Sequence, residues 1–312
     1  MEAKSTSSTL LAIVLSWRVK FCTASTAPVL VGTALAYAYA NSFSWRLFAV
    51  VWLAMTALHI GANLANDYFD HLSGNDDVNR VPTPFSGGSR TIQDGRMSAR
   101  SVLLFSIASL AAGAALGIIL VCQTGSVFIL GLGIAGLLGG WFYTAPPLKL
   151  GYRCAGEISI ALLFGLLPVF GAYYVQSGSL DGVIILPACI PSVLIFLIIL
   201  INEFPDSQAD AAVNKNTLVV ALGRPRALRI YRAALVITFV LAAAMLANPV
   251  TFYAGLFYIF TLPLGVLAYR FANVREVSDL VKLRSNKVTV ALHFTGSLAV
   301  AAGLITGGLL AQ

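Results

Sequence analysis

The sequence predicts an all-α, polytopic membrane protein: about nine transmembrane helices bundled around a central cavity, with loops capping one end. Three observations carry this. The 312 residues are 58% hydrophobic and only 11% charged, whereas a soluble domain is about half apolar and about a quarter charged. The apolar residues fall in runs of roughly 20, enough to cross about 30 Å of hydrocarbon. The charged residues gather in alternate loops rather than along the chain.

Taken in order, the expected spans are 22–40, 46–68, 101–122, 126–143, 155–176, 183–204, 228–247, 251–271 and 288–310. The turns at 41–45, 123–125, 177–182 and 248–250 are short and nearly uncharged, while 71–100, 144–154, 205–227 and 272–287 are polar. Of the 20 Lys and Arg, 19 fall on the side of the polar loops or in the N-terminal tail, Arg46 being the exception. That bias places the N-terminus and the polar loops in the cytoplasm and the C-terminus outside, in a cell membrane. It also explains the net charge of +7 as topology, not as a nucleic-acid-binding face. The opening MEAKSTSSTL lacks a signal-peptide cleavage pattern. Cys22, Cys122, Cys154 and Cys189 have no metal-binding or redox spacing and read as small apolar residues. The small-residue runs SLAAGAALG and GLGIAGLLGG let helices approach closely in lipid. Pro168, Pro187 and Pro191 predict kinks, and Trp17 and Trp45 predict interface anchors. The chain reads as one membrane domain, 1–312, built of two pseudo-repeats at roughly 17–150 and 151–287 plus a last helix at 288–310.

Twelve of the 13 acidic residues also lie on the cytoplasmic side. Acids do not set topology, so a polar site at the mouth of the bundle is the expected cause. The second span ends in Asn63, Asn66, Asp67, Asp70, Asp76 and Asp77, and the sixth in Asn202, Glu203, Asp206 and Asp210. Both contain Asn-x3-Asp: Asn66/Asp70 and Asn202/Asp206, with Asp210 one turn on. Residues four apart share a helix face, so each cluster aims amide and carboxylate oxygens at one spot. Hard oxygen ligands of this kind suit Mg2+, which takes substrate phosphates as further ligands. Asp76 and Asp77 read equally well as solvated loop acids. Basic partners are at hand. Gly87-Gly88-Ser89-Arg90 suits a phosphate cradle, Lys149 and Arg153 lie in a loop stiffened by two prolines, and Lys215 follows the second cluster. Together they describe a magnesium–diphosphate site. The alternative from another class is a cation-coupled transporter, which would place its acids nearer the midplane on broken helices.

Three stretches, NLANDYFDHLSGNDD, YTAPPLKLGYRCAGE and NEFPDSQADAAVNKNTLVVALG, resemble the signatures of the UbiA superfamily of intramembrane prenyltransferases. They are most similar to the branch that prenylates 1,4-dihydroxy-2-naphthoate in menaquinone biosynthesis; 4-hydroxybenzoate, homogentisate or another acceptor is the alternative. The resemblance implies nine helices around a cavity with a lateral opening to lipid. The implied ligands are a polyprenyl diphosphate, an aromatic acid acceptor and Mg2+. Asn66, Asp70, Asn202, Asp206 and Asp210 are expected on the metal, with Asn63 and Asp67 flanking them. Arg90, Lys149, Arg153 and Lys215 are expected on phosphate, and Tyr68 and Tyr143 beside the allylic cation. The sequence departs from many members in having Gly74 where a third acid usually stands, a feature of the naphthoate branch. His59, one turn before Asn63, reads as packing within the bundle.

Overall fold

The computed structural model describes residues 21–80, 82–273 and 283–311. Trp17 and the basic residues of the N-terminal tail and of 274–282 lie outside them. Among the described residues, ten helices build the bundle: α1 Thr23–Ala40, α2 Trp45–Leu72, α3 Ala99–Thr124, α4 Val127–Phe142, α5 Gly156–Ser177, α6 Ile185–Ala212, α7 Arg224–Met245, α8 Phe252–Ile259, α9 Leu262–Phe271 and α10 Arg284–Ala311. Helices α8 and α9 meet at a 48° bend and together occupy the eighth expected span. Every expected span therefore coincides with helix. Among the described residues, six helices are long and apolar enough to cross a membrane, or seven if the bent pair is one span. The other two are α4, with 16 residues, and α1, whose 18 residues include Thr, Ser, Pro and Tyr. Among the described residues there is no β-strand, only isolated bridges at Thr83–Ser86 and Arg153–Asn216.

Local chemistry sets the ends. Ser44, Ser98 and Ser126 each cap a helix by accepting from the N–H three residues on. Gly125 and Gly178 close α3 and α5 in left-handed conformation. At 28 residues each, α2 and α6 are about 42 Å long, well beyond about 30 Å of hydrocarbon. That surplus leaves length for their last turns, which carry both acid clusters, to lie outside the hydrocarbon.

Packing relies on small residues and a few buried polar links, as expected where lipid competes for apolar contact. α1 lies against α5 and α10, α2 against α3, and α6 is enclosed by α5, α7 and α10. Gly32 rests on the Val169 carbonyl, and a Cβ at Gly308 would stand 2.9 Å from the Ala38 Cα. Gln176 donates to the Ser44 carbonyl (3.0 Å) and accepts from its N–H (2.7 Å), and Ser106 Oγ donates to the Gly61 carbonyl (2.7 Å). The core runs along α6 through Leu194, Leu197, Ile201 and Phe204.

Two irregularities shape the half of the bundle that carries the acid clusters. Residues Ala161–Leu166 of α5 form a π-helical stretch, and Ser192 Oγ of α6 donates to the Ala161 carbonyl at 2.8 Å. Within α6, Pro205 has no N–H for the carbonyl of Ile201. Asn286 of α10 fills that role at 3.2 Å and also donates to Asn202 Oδ1 at 2.9 Å. The carbonyl freed by Pro205 and an acid-cluster residue are thus held by one amide from a third helix.

Candidate active site

The last turns of α2 and α6 face each other across a pocket of about 180 Å3. Asn63, Asn66 and Asp70, spaced three and four apart, line one wall, and Asn202, Asp206 and Asp210, spaced four apart, line the other. Between them stands Lys215, whose Nζ lies 3.0 Å from Asp70 Oδ2 and 3.8 Å from Asp210 Oδ1. Burial opposes the charge on Lys215, but Asp70, Asp210, Tyr152 and Tyr143 outweigh it, so the ammonium is held well above its ordinary pKa. Asp70 also accepts from Asn66 Nδ2 (2.7 Å) and from the Tyr152 hydroxyl (2.8 Å). Burial, then the nearby Asp70, push the Tyr152 phenol upward, so it remains a donor.

The segment after α2 folds over this pocket as a cap. Its short helix Asn75–Val78 brings Asn75 Nδ2 to Asp210 Oδ1 at 3.0 Å, and Asn79 Nδ2 reaches Asp206 Oδ1 at 2.9 Å. Gly87 N–H donates to Asp206 Oδ2 at 3.0 Å, and Ser89 N–H to Asp67 Oδ1 at 3.2 Å. Arg90 donates to the Asp76 carbonyl. Gly87 and Gly88 have φ of +77° and +72°, and a Cβ on Gly88 would stand 2.6 Å from Asp76 Oδ2, so both conformation and space demand glycine. Buried carboxylates left without donors would be costly. Here amides from the cap supply them.

Two further loops complete the wall. Asn216 N–H donates to the Tyr152 carbonyl (3.2 Å) and Cys154 N–H to the Asn216 carbonyl (2.7 Å), tying the loop before α5 to the loop that carries Lys215. Glu157 Oε1 accepts from Leu218 N–H at 2.6 Å and fixes the same pair of loops.

Of the residues expected at a site, Asn63, Asn66, Asp70, Tyr143, Asn202, Asp206, Asp210 and Lys215 line the pocket. Asp67, Tyr68, Arg90, Lys149 and Arg153 are outside its lining. Asp67 is buried at the edge of the α2 stripe and holds the 86–91 loop from below. Tyr68 stands edge-on to Phe69, which stands edge-on to Trp141, so it belongs to the aromatic packing of the bundle wall. Lys149 lies over the Tyr152 ring, 5.2 Å from its centroid, and Arg153 donates to the Pro147 carbonyl at 3.0 Å. Asp76 and Asp77, indistinguishable by sequence, separate clearly. Asp76 is buried in the pocket lining, whereas Asp77 is exposed beside His71 and Gln93. His59 is buried edge-on to Phe164 and lines the pocket. Asn75, Asn79 and Asn286 were not anticipated. Asn75 and Asn79 repeat the four-residue spacing in the cap, and that repeat was the available signal.

The polar lining is mostly Asp and Asn with Lys215, joined by Glu203, Ser86, Thr217, Tyr143 and His59. Among the described residues, no three of His, Cys, Asp and Glu converge closely enough to cage an ion by themselves. That fits Mg2+, which is held by one or two carboxylates and completes its shell with water and substrate phosphates. Beneath the pocket lies a second, apolar cavity of about 310 Å3, and Ala62, Gly140 and Phe164 line both.

Comparison with known proteins gives a consistent picture. The model of the UbiA prenyltransferase family matches residues 25–309. The chain is 34% identical over 249 residues to a 1,4-dihydroxy-2-naphthoate octaprenyltransferase of Haemophilus influenzae, covering 78% of each chain. It is 30% identical over 271 residues to the protein of that description from Escherichia coli, covering 86% of each. In fold it is similar to a UbiA homolog from Archaeoglobus fulgidus whose structure holds DMAPP and Mg2+, with a TM-score of 0.61, 18% identity, and 93% and 99% of the two chains covered.

Proposed function

This chain belongs to the UbiA prenyltransferase family, and from that premise we propose that it transfers a polyprenyl group from an allylic diphosphate to 1,4-dihydroxy-2-naphthoate, with loss of carbon dioxide, in menaquinone biosynthesis. One observation carries the reading. Two Asn-x3-Asp clusters, a buried lysine and an apolar cavity meet at one mouth, as a substrate with a diphosphate head and a hydrocarbon tail requires.

The residues divide the work. Asn66, Asp70, Asn202, Asp206 and Asp210 are the oxygens that would hold Mg2+. When bound, the ion would neutralise diphosphate oxygens and so ease rupture of the allylic C–O bond. Lys215 offers positive charge on the same face of the pocket, and the Gly87 N–H holds Asp206 from the cap. Arg90, Lys149 and Arg153, at the rim, draw the anionic head to the mouth. As the C–O bond breaks, its electrons leave with diphosphate and the allylic carbon becomes cationic. The face of Tyr143 stabilises that charge by cation–π attraction. The acceptor carbon bearing the carboxyl group then forms the new C–C bond, and the electrons of the departing carboxyl restore the aromatic ring. The arginine and lysine bias puts this mouth in the cytoplasm, with the C-terminus outside.

The test is a product assay in liposomes with magnesium, geranylgeranyl diphosphate and each candidate aromatic acid, read by mass spectrometry. Prenylated naphthoquinol and released carbon dioxide are expected. A product formed only from 4-hydroxybenzoate or homogentisate would refute the acceptor. Absence of magnesium-dependent diphosphate release would refute the reaction.

A further inference from the structure

We propose that Glu203, paired with Glu157 at the floor of the polar pocket, recognises the aromatic acceptor by accepting the hydrogen of its ring hydroxyl. This rests on the prenyl-transfer reading above and deepens it. Four observations lead there.

First, Glu203 stands apart from the other acids of the α6 wall. Asp206 accepts from Asn79 and Gly87, and Asp210 accepts from Asn75. Glu203 is 7% exposed and lines the pocket, yet no N–H or O–H of the described residues reaches its Oε2. Its hydrogen-bond contact is with another carboxyl, Glu157 of α5. Two carboxyls in such contact hold one proton between them, so the pair carries a single negative charge. A buried carboxyl without donors is costly. One that lines a substrate pocket finds its donor in the substrate.

Second, the pair is fixed below the diphosphate level. Glu157 is buried, and its Oε1 is taken by the Leu218 N–H. Glu203 lies three residues deeper on α6 than Asp206, about 4.5 Å at 1.5 Å per residue. Four residues deeper still is Ile199, where the lining of α6 turns apolar. Third, a donor stands on the opposite wall. Asn63 is one turn deeper on α2 than Asn66, and its Nδ2 is buried with no acceptor among the described residues. A ligand at this level must offer both a donor hydrogen and an acceptor oxygen. A diphosphate offers only acceptor oxygens and a prenyl chain offers neither, whereas a hydroxylated aromatic acid offers both.

Fourth, Tyr143, placed above beside the allylic cation, is near enough to Glu203 and Glu157 for their charges to act on its phenol. A Cβ on Gly151 would stand 2.9 Å from the Tyr143 ring and one on Gly156 would stand 3.3 Å from it. These glycines let the loop before α5 close onto that ring, one residue ahead of Glu157. The hydroxyl and the cation are thereby held side by side, so the ring carbon next to the hydroxyl meets the allylic carbon. A hydroxyl that donates to a carboxylate also gives more electron density to that carbon.

The experiment uses the full chain in liposomes with 1,4-dihydroxy-2-naphthoate and its two monomethyl ethers as acceptors. The native protein should prefer the dihydroxy acid over one of the ethers by about 10–150-fold in kcat/KM, the worth of a hydrogen bond to a charged group. In Glu203→Leu that preference should vanish. In Glu203→Gln, which keeps an oxygen, part of it should return. The KM for geranylgeranyl diphosphate and the magnesium requirement should stay native in both. Equal loss of rate on all three acceptors, with the preference kept, would overturn the assignment and leave Glu203 a brace between α5 and α6. Weaker magnesium affinity of Glu203→Gln by calorimetric titration would overturn it in favour of a metal ligand. Binding separates this inference from the reaction. With magnesium and inorganic diphosphate in place of the donor, quenching of naphthoate fluorescence should show weaker binding of the dihydroxy acid to Glu203→Leu and unchanged binding of the discriminated ether. That result with no prenyl transfer to any acceptor would refute the proposed reaction and leave the subsite standing. Transfer by the native protein without preference for the hydroxyl would refute the subsite alone.

Discussion

Removing Lys215 tests how the acid clusters are held together. At an effective dielectric of about 20, its contacts of 3.0 Å and 3.8 Å with Asp70 and Asp210 correspond to gross attractions of about 5.5 and about 4.4 kcal/mol. Much of that offsets the desolvation of three buried charges. Breaking such a pair by deleting one partner nets about 3–5 kcal/mol, because the remaining charges stay buried without compensation. Lys215→Met, which keeps the length of the side chain, should therefore lower the Tm in detergent with EDTA. With unfolding entropy near 2.1 cal/mol/K per residue over 312 residues, the drop is about 5–8 °C. Magnesium should recover more of the loss in the variant than it adds to the native protein, since a cation would again lie between the carboxylates. The assay is thermal unfolding of purified protein across a magnesium series. A variant as stable as the native chain in EDTA would refute the argument that Lys215 compensates Asp70 and Asp210.

Other outcomes follow from the same geometry. Asn79→Ala removes the 2.9 Å donor to Asp206 and should raise the magnesium concentration needed for half-maximal turnover by about 10–100-fold, as loss of a supporting hydrogen bond does; calorimetric titration of magnesium checks it. Tyr152→Phe deletes the 2.8 Å hydrogen bond to Asp70. It should lower kcat/KM by a factor equivalent to about 1.5–3 kcal/mol, the worth of a hydrogen bond to a charged group, while leaving the fold intact by circular dichroism. Gly88→Ala places a Cβ 2.6 Å from Asp76 Oδ2 at φ +72°, so the cap should open and activity should fall while the bundle stays folded. A single cysteine placed at Gly178 in a cysteine-free background should be labelled only from outside the cell; labelling only from the cytoplasm would invert the topology.

The sequence disclosed the helices and the two acid walls because both follow from periodicity. Apolar length gave the spans, and Asn-x3-Asp gave the stripes on α2 and α6. It set Asp67 beside the metal-facing residues but could not show what Asp67 meets; a rotation of about 100° per residue leaves it at the edge of the stripe, under the 86–91 loop. Nor could it show which bases enter the pocket. Lys215 is drawn in by a turn that returns its N–H to the Asp210 carbonyl at 2.8 Å. Lys149 and Arg153 are kept at the rim by contacts within their own loop. Such choices depend on loop paths that bring together residues far apart in the chain, and no local spacing encodes them. The partnership of Pro205 with Asn286 is of the same kind: the proline announces a lost hydrogen bond, but not which helix will replace it.

The π-helical stretch at Ala161–Leu166 acts as a register gear within α5. Each residue of an α-helix turns the chain by about 100°, and a π turn absorbs one extra residue per turn. Deleting one residue there would restore an ordinary helix and leave both flanks in phase, because the wide turn already absorbs the extra residue. Deleting one of Ile158–Ile160, in the α-helical turn just before it, has no such reserve and would rotate what precedes it by about 100°. Glu157 would then swing away from the Leu218 N–H it now accepts from, and the loop carrying Lys215 would lose its anchor. Two deletions a few residues apart should therefore differ sharply, the one in the wide turn tolerated and the one beside Glu157 uncoupling the site.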